Sequence, residues 1–355
     1  MATNLYIVYG GQSAEHEVSL KTAMTVLQAV DRSRYAVRPV YITREGLWCE
    51  PWLLEGELTH PEQLRRVPEH TSKAASIGAI LAEMGEQPCV VFPVLHGPGG
   101  EDGTLQGLLE LAGVPYVGNG LLASAVGMDK LMTKRILETH GIRQARYIEL
   151  RQQRWETKRE EALRELEQEI GYPCYVKPAN LGSSIGISRC ADREQLLAGI
   201  ALALRYDAKL VIECEIVGRE VQYAVIGQED PRCSVGGEFI REPDFFDYDK
   251  KYVQGGLVQQ IPARLTPELD EALRETAIRT FRALDGAGLM RIDFFVTDDG
   301  RAYLNEVNTL PGFTAISMYP ALWRETDGIA YTELIDRLIA LALERQPLLR
   351  QEVLV

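Results

Sequence analysis

The chain has 355 residues, 46% of them apolar and 25% charged, with a formal net charge of −13. That length exceeds one ordinary core and predicts two or three domains of a soluble globular protein, while the acidic balance excludes a general nucleic-acid or anionic-membrane surface. No basic start with a long apolar core and no run of about 18 apolar residues occurs, which predicts a cytoplasmic chain without secretion signal or membrane span.

Leu5–Tyr9 reads as a buried strand that enters Gly10-Gly11 and a helix with Val18, Ala23, Val26 and Leu27 on one face. The turn is GGQSAE, so a G-x-G-x-x-G dinucleotide fingerprint is absent. A second strand, Cys89–Leu95, leads through HGPGGEDG into a helix with Leu105, Leu108, Leu109 and Ala112 in phase, Glu101 and Asp102 in its first turn, and Gly113 at its end. Strands that end in glycine loops and open helices predict an α/β domain over residues 1–122, with its site at the strand carboxyl ends. Glu15 and His96 each close such a loop, and each reads either as a ligand group or as a satisfied surface polar group.

Next come a helix around Met128–Thr139, stopped by Gly141, and a charged helix across Trp155–Glu169. The strand Cys174–Lys177 meets PANLGSSIG, and a helix over Glu194–Leu204 precedes strands at Leu210–Ile216, Glu220–Ile226 and Cys233–Ile240. The stretch 241–256, REPDFFDYDKKYVQGG, is too long and charged for a tight turn and reads as a functional loop. A helix within Thr266–Leu284, a hairpin and a helix from about Tyr331 to Glu344 follow, which gives further domains at 123–216 and 217–355. Six cysteines without a C-x-x-C pair and five histidines without H-E-x-x-H spacing predict free core thiols rather than zinc or disulfides.

In GSSIG, Gly182–Gly186, two hydroxyls lie between glycines, a composition that suits backbone wrapping of a phosphate and equally an ordinary turn. Lys130 and Lys177 are candidates to neutralise phosphates. The most telling stretch is Met290–Gly312. A two-residue Asp299-Gly300 turn there sets Asp293 opposite Glu306. Directly opposed carboxylates have Cβ atoms roughly 4.5–5.5 Å apart and repel unless something positive separates them. Asn308 shares their face if the strand runs that far, and a set of oxygen ligands suits Mg²⁺ better than zinc. The alternative is a solvated face whose acids pair with lysines. Arg291 reads as an anion stabiliser, as a counter-ion of Asp293, or as both.

Taken together, HGPGGEDGTLQGLLEL, VGMDK, YVKPANLGSSIG, DYDKKY, RIDFF and NEVNTLPGFT, with GGQSAEHEVSL near the start, resemble the D-alanine:D-alanine ligases of bacterial cell-wall synthesis. The resemblance runs in order from about residue 5 to beyond Tyr319. It implies an ATP-grasp fold: an amino-terminal Rossmann-like α/β domain, a small central α+β domain and a larger carboxy-terminal domain, with ATP clamped between the last two, in a homodimer. It implies that Asp293, Glu306 and Asn308 hold two Mg²⁺ ions, with Mn²⁺ as an alternative ion, and it leaves open an activating monovalent cation. Lys130 and Lys177 would touch the nucleotide, Ser184 and the glycine loop its phosphates, Glu213, Glu215 and Ile216 the adenine, and Glu220 the ribose. Glu15 would bind the ammonium of the first D-alanine with His96 nearby, and Ser317 with Met318 the carboxylate of the second. Gly312 would offer an N–H beside Arg291 at the oxyanion. The 241–256 segment would be a lid, with Lys251 on the γ-phosphate and Tyr252 latched to Ser183 and Glu15.

The chemistry implied is phosphorylation of one D-alanine carboxylate by ATP, then attack by the free amine of the other, within a closed site because water would destroy the acyl phosphate. Related ligases that make D-alanyl-D-lactate have Phe or His at the lid position of Tyr252, so Tyr favours an amine acceptor. Phe246, where Tyr is common, and Cys214, where Lys is common, depart from the family pattern. A sister ligase taking D-serine or D-lactate is the close rival. A biotin-dependent ATP-grasp carboxylase and a non-catalytic nucleotide sensor are the more distant ones.

Overall fold

Parallel strands need a crossover between them, and the first hundred residues supply two. The computed structural model describes residues 3–241 and 257–345, so the predicted lid beyond its first residue, including Phe246, Lys251 and Tyr252, lies outside the described residues. Strands β1 (Thr3–Gly10), β2 (Tyr35–Ile42) and β3 (Cys89–Pro93) form a parallel sheet in the order β2-β1-β3. Helices α1 (His16–Ala29) and α2 (Lys73–Glu86) make the crossovers, and α3 (Thr104–Leu111) follows β3. Leu5, Ile7 and Tyr9 enter one core while Tyr6 and Val8 enter another, which is why β1 reads as an unbroken apolar run. In α1 the buried face is Leu20, Ala23, Val26 and Leu27, and Val18 is exposed. Val18 lies roughly 140° of helical arc from Ala23, too far round to share its face.

The helix expected around Met128–Thr139 is α5 (Lys130–Thr139), and a further helix, α4 (Leu121–Met128), which the sequence reading does not include, precedes it. Asp129 separates them and caps α5, accepting from the N–H groups of Leu131 and Met132 at 3.0 and 3.2 Å. Strand β4 (Tyr147–Arg151) precedes α6 (Gln152–Thr157) and α7 (Arg159–Glu169), which replace the single charged helix. β5 (Cys174–Pro178), β6 (Ser188–Cys190) and β7 (Lys209–Cys214), with α8 (Arg193–Ala203) between the last two, complete an antiparallel sheet, β4-β7-β5-β6. Alternation sends Leu150, Cys174, Val176, Leu210 and Ile212 into a core with α7 and α8 and leaves Tyr147, Tyr175, Lys177 and Glu213 on the other face. Cys214 packs against that core opposite Cys174, on the face away from Glu213. None of the six cysteines forms a disulfide.

The third sheet holds β8 (Arg219–Gly227), β9 (Arg232–Cys233), β10 (Gly237–Arg241), β11 (Leu257–Gln260), β12 (Gly288–Val296) and β13 (Ala302–Asn308), in the order β11-β10-β8-β12-β13 with β9 beside β8. The single strand expected over Cys233–Ile240 is therefore divided into β9 and β10. Helix α9 (Pro267–Ala283) covers one face, packing Leu273, Ala277 and Phe281 against Met290, Ile292, Phe294 and Leu304. The last two helices, α10 (Met318–Asp327) and α11 (Tyr331–Glu344), return to the first sheet: Tyr319, Trp323, Leu334 and Leu338 share the largest core with Ile7, Leu27 and Phe92. Among the described residues no helix is long and apolar enough to cross a membrane.

Candidate active site

The carboxylate pair forms as predicted, by a different route. Asp293 pairs with Glu306 and Arg291 with Asn308, but the hairpin loop is three residues, Asp298–Gly300, rather than two. The Thr297 N–H donates to the Arg301 carbonyl and the Gly300 N–H to the Thr297 carbonyl, each at 2.9 Å, with Gly300 at φ +79. This loop shifts the register by one residue, and a bulge at Asn305 shifts it back. The bulge also lets Leu304 and Val307, three apart, both reach the core while Glu306 and Asn308 stay beside Asp293.

Asp293 is fully buried, and Arg291 grips both its oxygens, Nε to Oδ1 at 2.8 Å and Nη2 to Oδ2 at 2.7 Å. Burial raises the Asp293 carboxyl to about 6 against the pull of Arg291, and the charges of Glu306 and Glu220 push the same way as burial. Burial alone would lower the Arg291 guanidinium, yet Asp293 holds it above its ordinary value. Across the next strand Gln222 faces Asp293 and Glu220 faces Phe295. Gln222 donates to Glu220 at 3.0 Å, and its own amide oxygen is buried without a hydrogen-bond partner among the described residues. Surplus acid charge and an orphaned oxygen fit a hard divalent cation. Among the described residues no three His, Cys, Asp or Glu side chains converge as a cage. Two carboxylates and amide oxygens are the groups available here to such an ion, a set that suits Mg²⁺, which keeps positions for water and phosphate.

On the second sheet Tyr147, Glu213 and Tyr175 form a row across three strands, and Lys177 follows Tyr175 on the same face. The Glu213 carboxylate lies between two ammonium groups: Lys177 binds Oε1, and Lys134 sits 3.0 Å from Oε2. Burial would raise this carboxyl, but Lys177 and Lys134 together bring it down to about 2. Lys130 opens α5 and donates to the Leu181 carbonyl at the edge of the GSSIG loop, and burial lowers its pKa. Glu215 is taken by Arg189 at 2.9 Å, Ile216 is half-buried after β7, and Glu220 is exposed. Lys134 was not foreseen, although its place four residues after Lys130 on one helix face was visible.

Ser183 and Ser184 occupy left-handed backbone at φ +51 and +55. The Ser183 hydroxyl donates to Glu15, so the loop after β1 meets the GSSIG loop. Gly97 lies between two acids: its N–H donates to Glu101 at 2.9 Å, and a Cβ there would stand 3.0 Å from Glu15. Its φ of +74 also demands glycine. Glu101 and Asp102 precede α3 rather than form its first turn, and Asp102 accepts from Gly99 and Thr104 at 2.8 and 3.0 Å. Burial and then Glu15 raise the Glu101 carboxyl to about 7. His96 is buried beside Thr22, with Nε2 3.2 Å from the hydroxyl, and burial lowers its pKa against the opposing charge of Glu15. Ser317 precedes α10, its hydroxyl accepting from the Thr314 N–H at 3.0 Å and lying 3.4 Å from where a Gly312 Cβ would stand. The Met318 side chain is in the largest core, so only its backbone at the start of α10 is available to a ligand.

A family described as D-ala D-ala ligase N-terminus matches residues 4–119, and one described as D-ala D-ala ligase C-terminus matches 136–340. The D-alanine--D-alanine ligase of Bacillus cytotoxicus is 48% identical over 96% of this chain and 96% of its own. That of Listeria monocytogenes is 46% identical, covering 97% of this chain and 96% of its own. Among solved structures, the VanG D-Ala:D-Ser ligase from Enterococcus faecalis superimposes with a TM-score of 0.81 at 31% identity, over 96% of this chain and 100% of that one. The D-alanine-D-alanine ligase from Coxiella burnetii gives 0.78 at 30%, over 97% and 95%. The three sheets are thus the ATP-grasp architecture of these enzymes, and the chain belongs to the D-alanine:D-alanine ligase family.

Proposed function

We propose that this protein joins two D-alanine molecules at the expense of ATP, through an acyl phosphate, to supply D-alanyl-D-alanine for peptidoglycan. The reading is supported by relatives that bear this name, and the observation that carries it is the acidic face of β12 and β13, where Arg291, Asp293, Glu306 and Asn308 stand in register. Asp293, Glu306 and Asn308 would hold Mg²⁺, which when bound neutralises phosphate oxygens. Lys130 and Lys177 bind the nucleotide phosphates under Ser184 and the loop amides. Glu213, Glu215 and Ile216 border the adenine and Glu220 the ribose. Glu15, beside His96, takes the ammonium of the first D-alanine and leaves its carboxylate free to attack the γ-phosphorus. Ser317 and the Met318 N–H hold the carboxylate of the second, whose amine attacks the acyl carbon. Arg291 and the Gly312 N–H meet the oxyanion that develops. On the sequence match alone we assign Tyr252 to the Glu15–Ser183 latch and Lys251 to the γ-phosphate. On the same ground we assign the parts 1–122, 123–216 and 217–355, a homodimer and a cytoplasmic location.

The test is ADP release by purified protein with ATP and Mg²⁺, with and without D-alanine, and mass analysis of the product. ADP release that depends on D-alanine and yields the dipeptide is expected. Release without that dependence sinks the substrate assignment. Mixed D-alanine and D-serine in the same assay separates the acceptor named for the VanG enzyme from the one proposed here.

A further inference from the structure

Lys134 is the one buried lysine among the described residues, and no role in the reaction described so far falls to it. Its ammonium lies 3.0 Å from Glu213 and 5.1 Å from the centre of the Tyr147 ring, with side-chain exposure of 6%. A cation held by a carboxylate and an aromatic face in the interior stays in place. Lys177 is differently situated: it holds the other oxygen of the same carboxylate, is more exposed at 13%, and stands on β5, which leads into the GSSIG loop. One ammonium cannot fully serve a buried carboxylate and an incoming phosphate together. If Lys177 were the sole partner of Glu213, its departure would strand a buried anion, a strongly unfavourable outcome. With Lys134 in place the Lys134–Glu213 pair is neutral by itself, and the charge of Lys177 is surplus.

We propose that Lys134 is a positioning residue of the nucleotide site, holding Glu213 so that Lys177 is free to move from that carboxylate to a phosphate of ATP. The inference rests on the reading that Lys177 meets the nucleotide phosphates. It makes Lys134 act through Glu213, without touching ATP.

A double-mutant cycle on the full chain decides it, with ATP binding measured by calorimetry and steady-state kinetics and thermal unfolding recorded beside it. Lys134→Met is expected to weaken ATP binding about tenfold or more and to raise KM for ATP with a smaller change in kcat. Lys134→Arg keeps the charge and is expected to bind ATP close to wild type. In a Glu213→Gln background Lys134→Met should change ATP affinity less than about threefold, because no carboxylate remains to trap Lys177. Wild-type ATP affinity in Lys134→Met, or an equal loss in both backgrounds, overturns the proposal. Should Lys134→Met fail to fold, Lys134→Gln answers the same question in the same cycle. Lys177→Met that binds ATP unchanged would instead remove the phosphate assignment beneath the inference, which is a separate failure.

Discussion

Asp293 and Glu306 occupy a directly opposed position in a ladder, and Arg291 satisfies only Asp293. Glu306→Gln keeps the shape and removes one charge. Turnover is expected to fall about a hundredfold or more while Tm moves by a few degrees at most; wild-type turnover would remove the metal assignment. Glu101 offers a test that needs no substrate. Its carboxyl titrates near 7 in the folded chain against an ordinary 4.5, chiefly because it is buried and then because Glu15 is near. A raised carboxyl favours the protonated folded state, so its contribution is complete below about 4.5 and is lost as the pH rises through about 7. Glu101→Gln mimics the protonated acid and should therefore be the more stable protein above pH 7. Its advantage over wild type should grow between pH 5 and 8 toward about 3 kcal/mol, read by denaturant unfolding without nucleotide or metal. A difference that does not change with pH would show that Glu101 does not ionise over this range.

At the level of elements, the GSSIG loop stores strain in two consecutive left-handed serines, a conformation that costs non-glycine residues roughly 1–2 kcal/mol each. Ser184→Gly should leave Tm unchanged or slightly raised, and should raise KM for ATP several-fold if the hydroxyl covers a phosphate; an unchanged KM means that it does not. The long periodic elements were legible: α8, α9 and α11 fall within a residue or so of their expected ends, because apolar spacing and caps agree. Helix α4 was not, since its eight residues start after Gly120 without a side-chain cap and are too few to display a helical period. The hairpin gave the right carboxylate pair from a wrong turn length, because a three-residue loop and a bulge each displace the register by one and cancel. A bulge depends on which side chains the core accepts, and no short-range pattern announces it.

Across the whole molecule the site is assembled from distant parts. Residue types and motif order told what the pieces are, and the family resemblance supplied the roles proposed for them. That Ser183 meets Glu15 across 168 positions, or that Gln222 leaves an oxygen orphaned beside Asp293, depends on sheet packing that local spacing does not encode. Asn119 is one hinge of that assembly: its side chain donates to the carbonyls of Leu289 and Thr309 and accepts from Ala287, joining the end of the first α/β unit to β12 and the stretch after β13. Asn119→Ala leaves those buried groups without partners and should cost about 3 kcal/mol by chemical denaturation; a loss below about 1 kcal/mol would show that water replaces the amide. The return of α10 and α11 to the first sheet also bears on how the chain is made. Phe92 emerges from the ribosome well before Phe313, the ring it packs against at 5.7 Å between centroids. At ordinary elongation rates that interval is on the order of ten seconds or more. Throughout it, the earliest sheet is synthesised with part of one apolar face bare, so the nascent chain presents a binding surface for holdase chaperones until its final helices emerge to cover it.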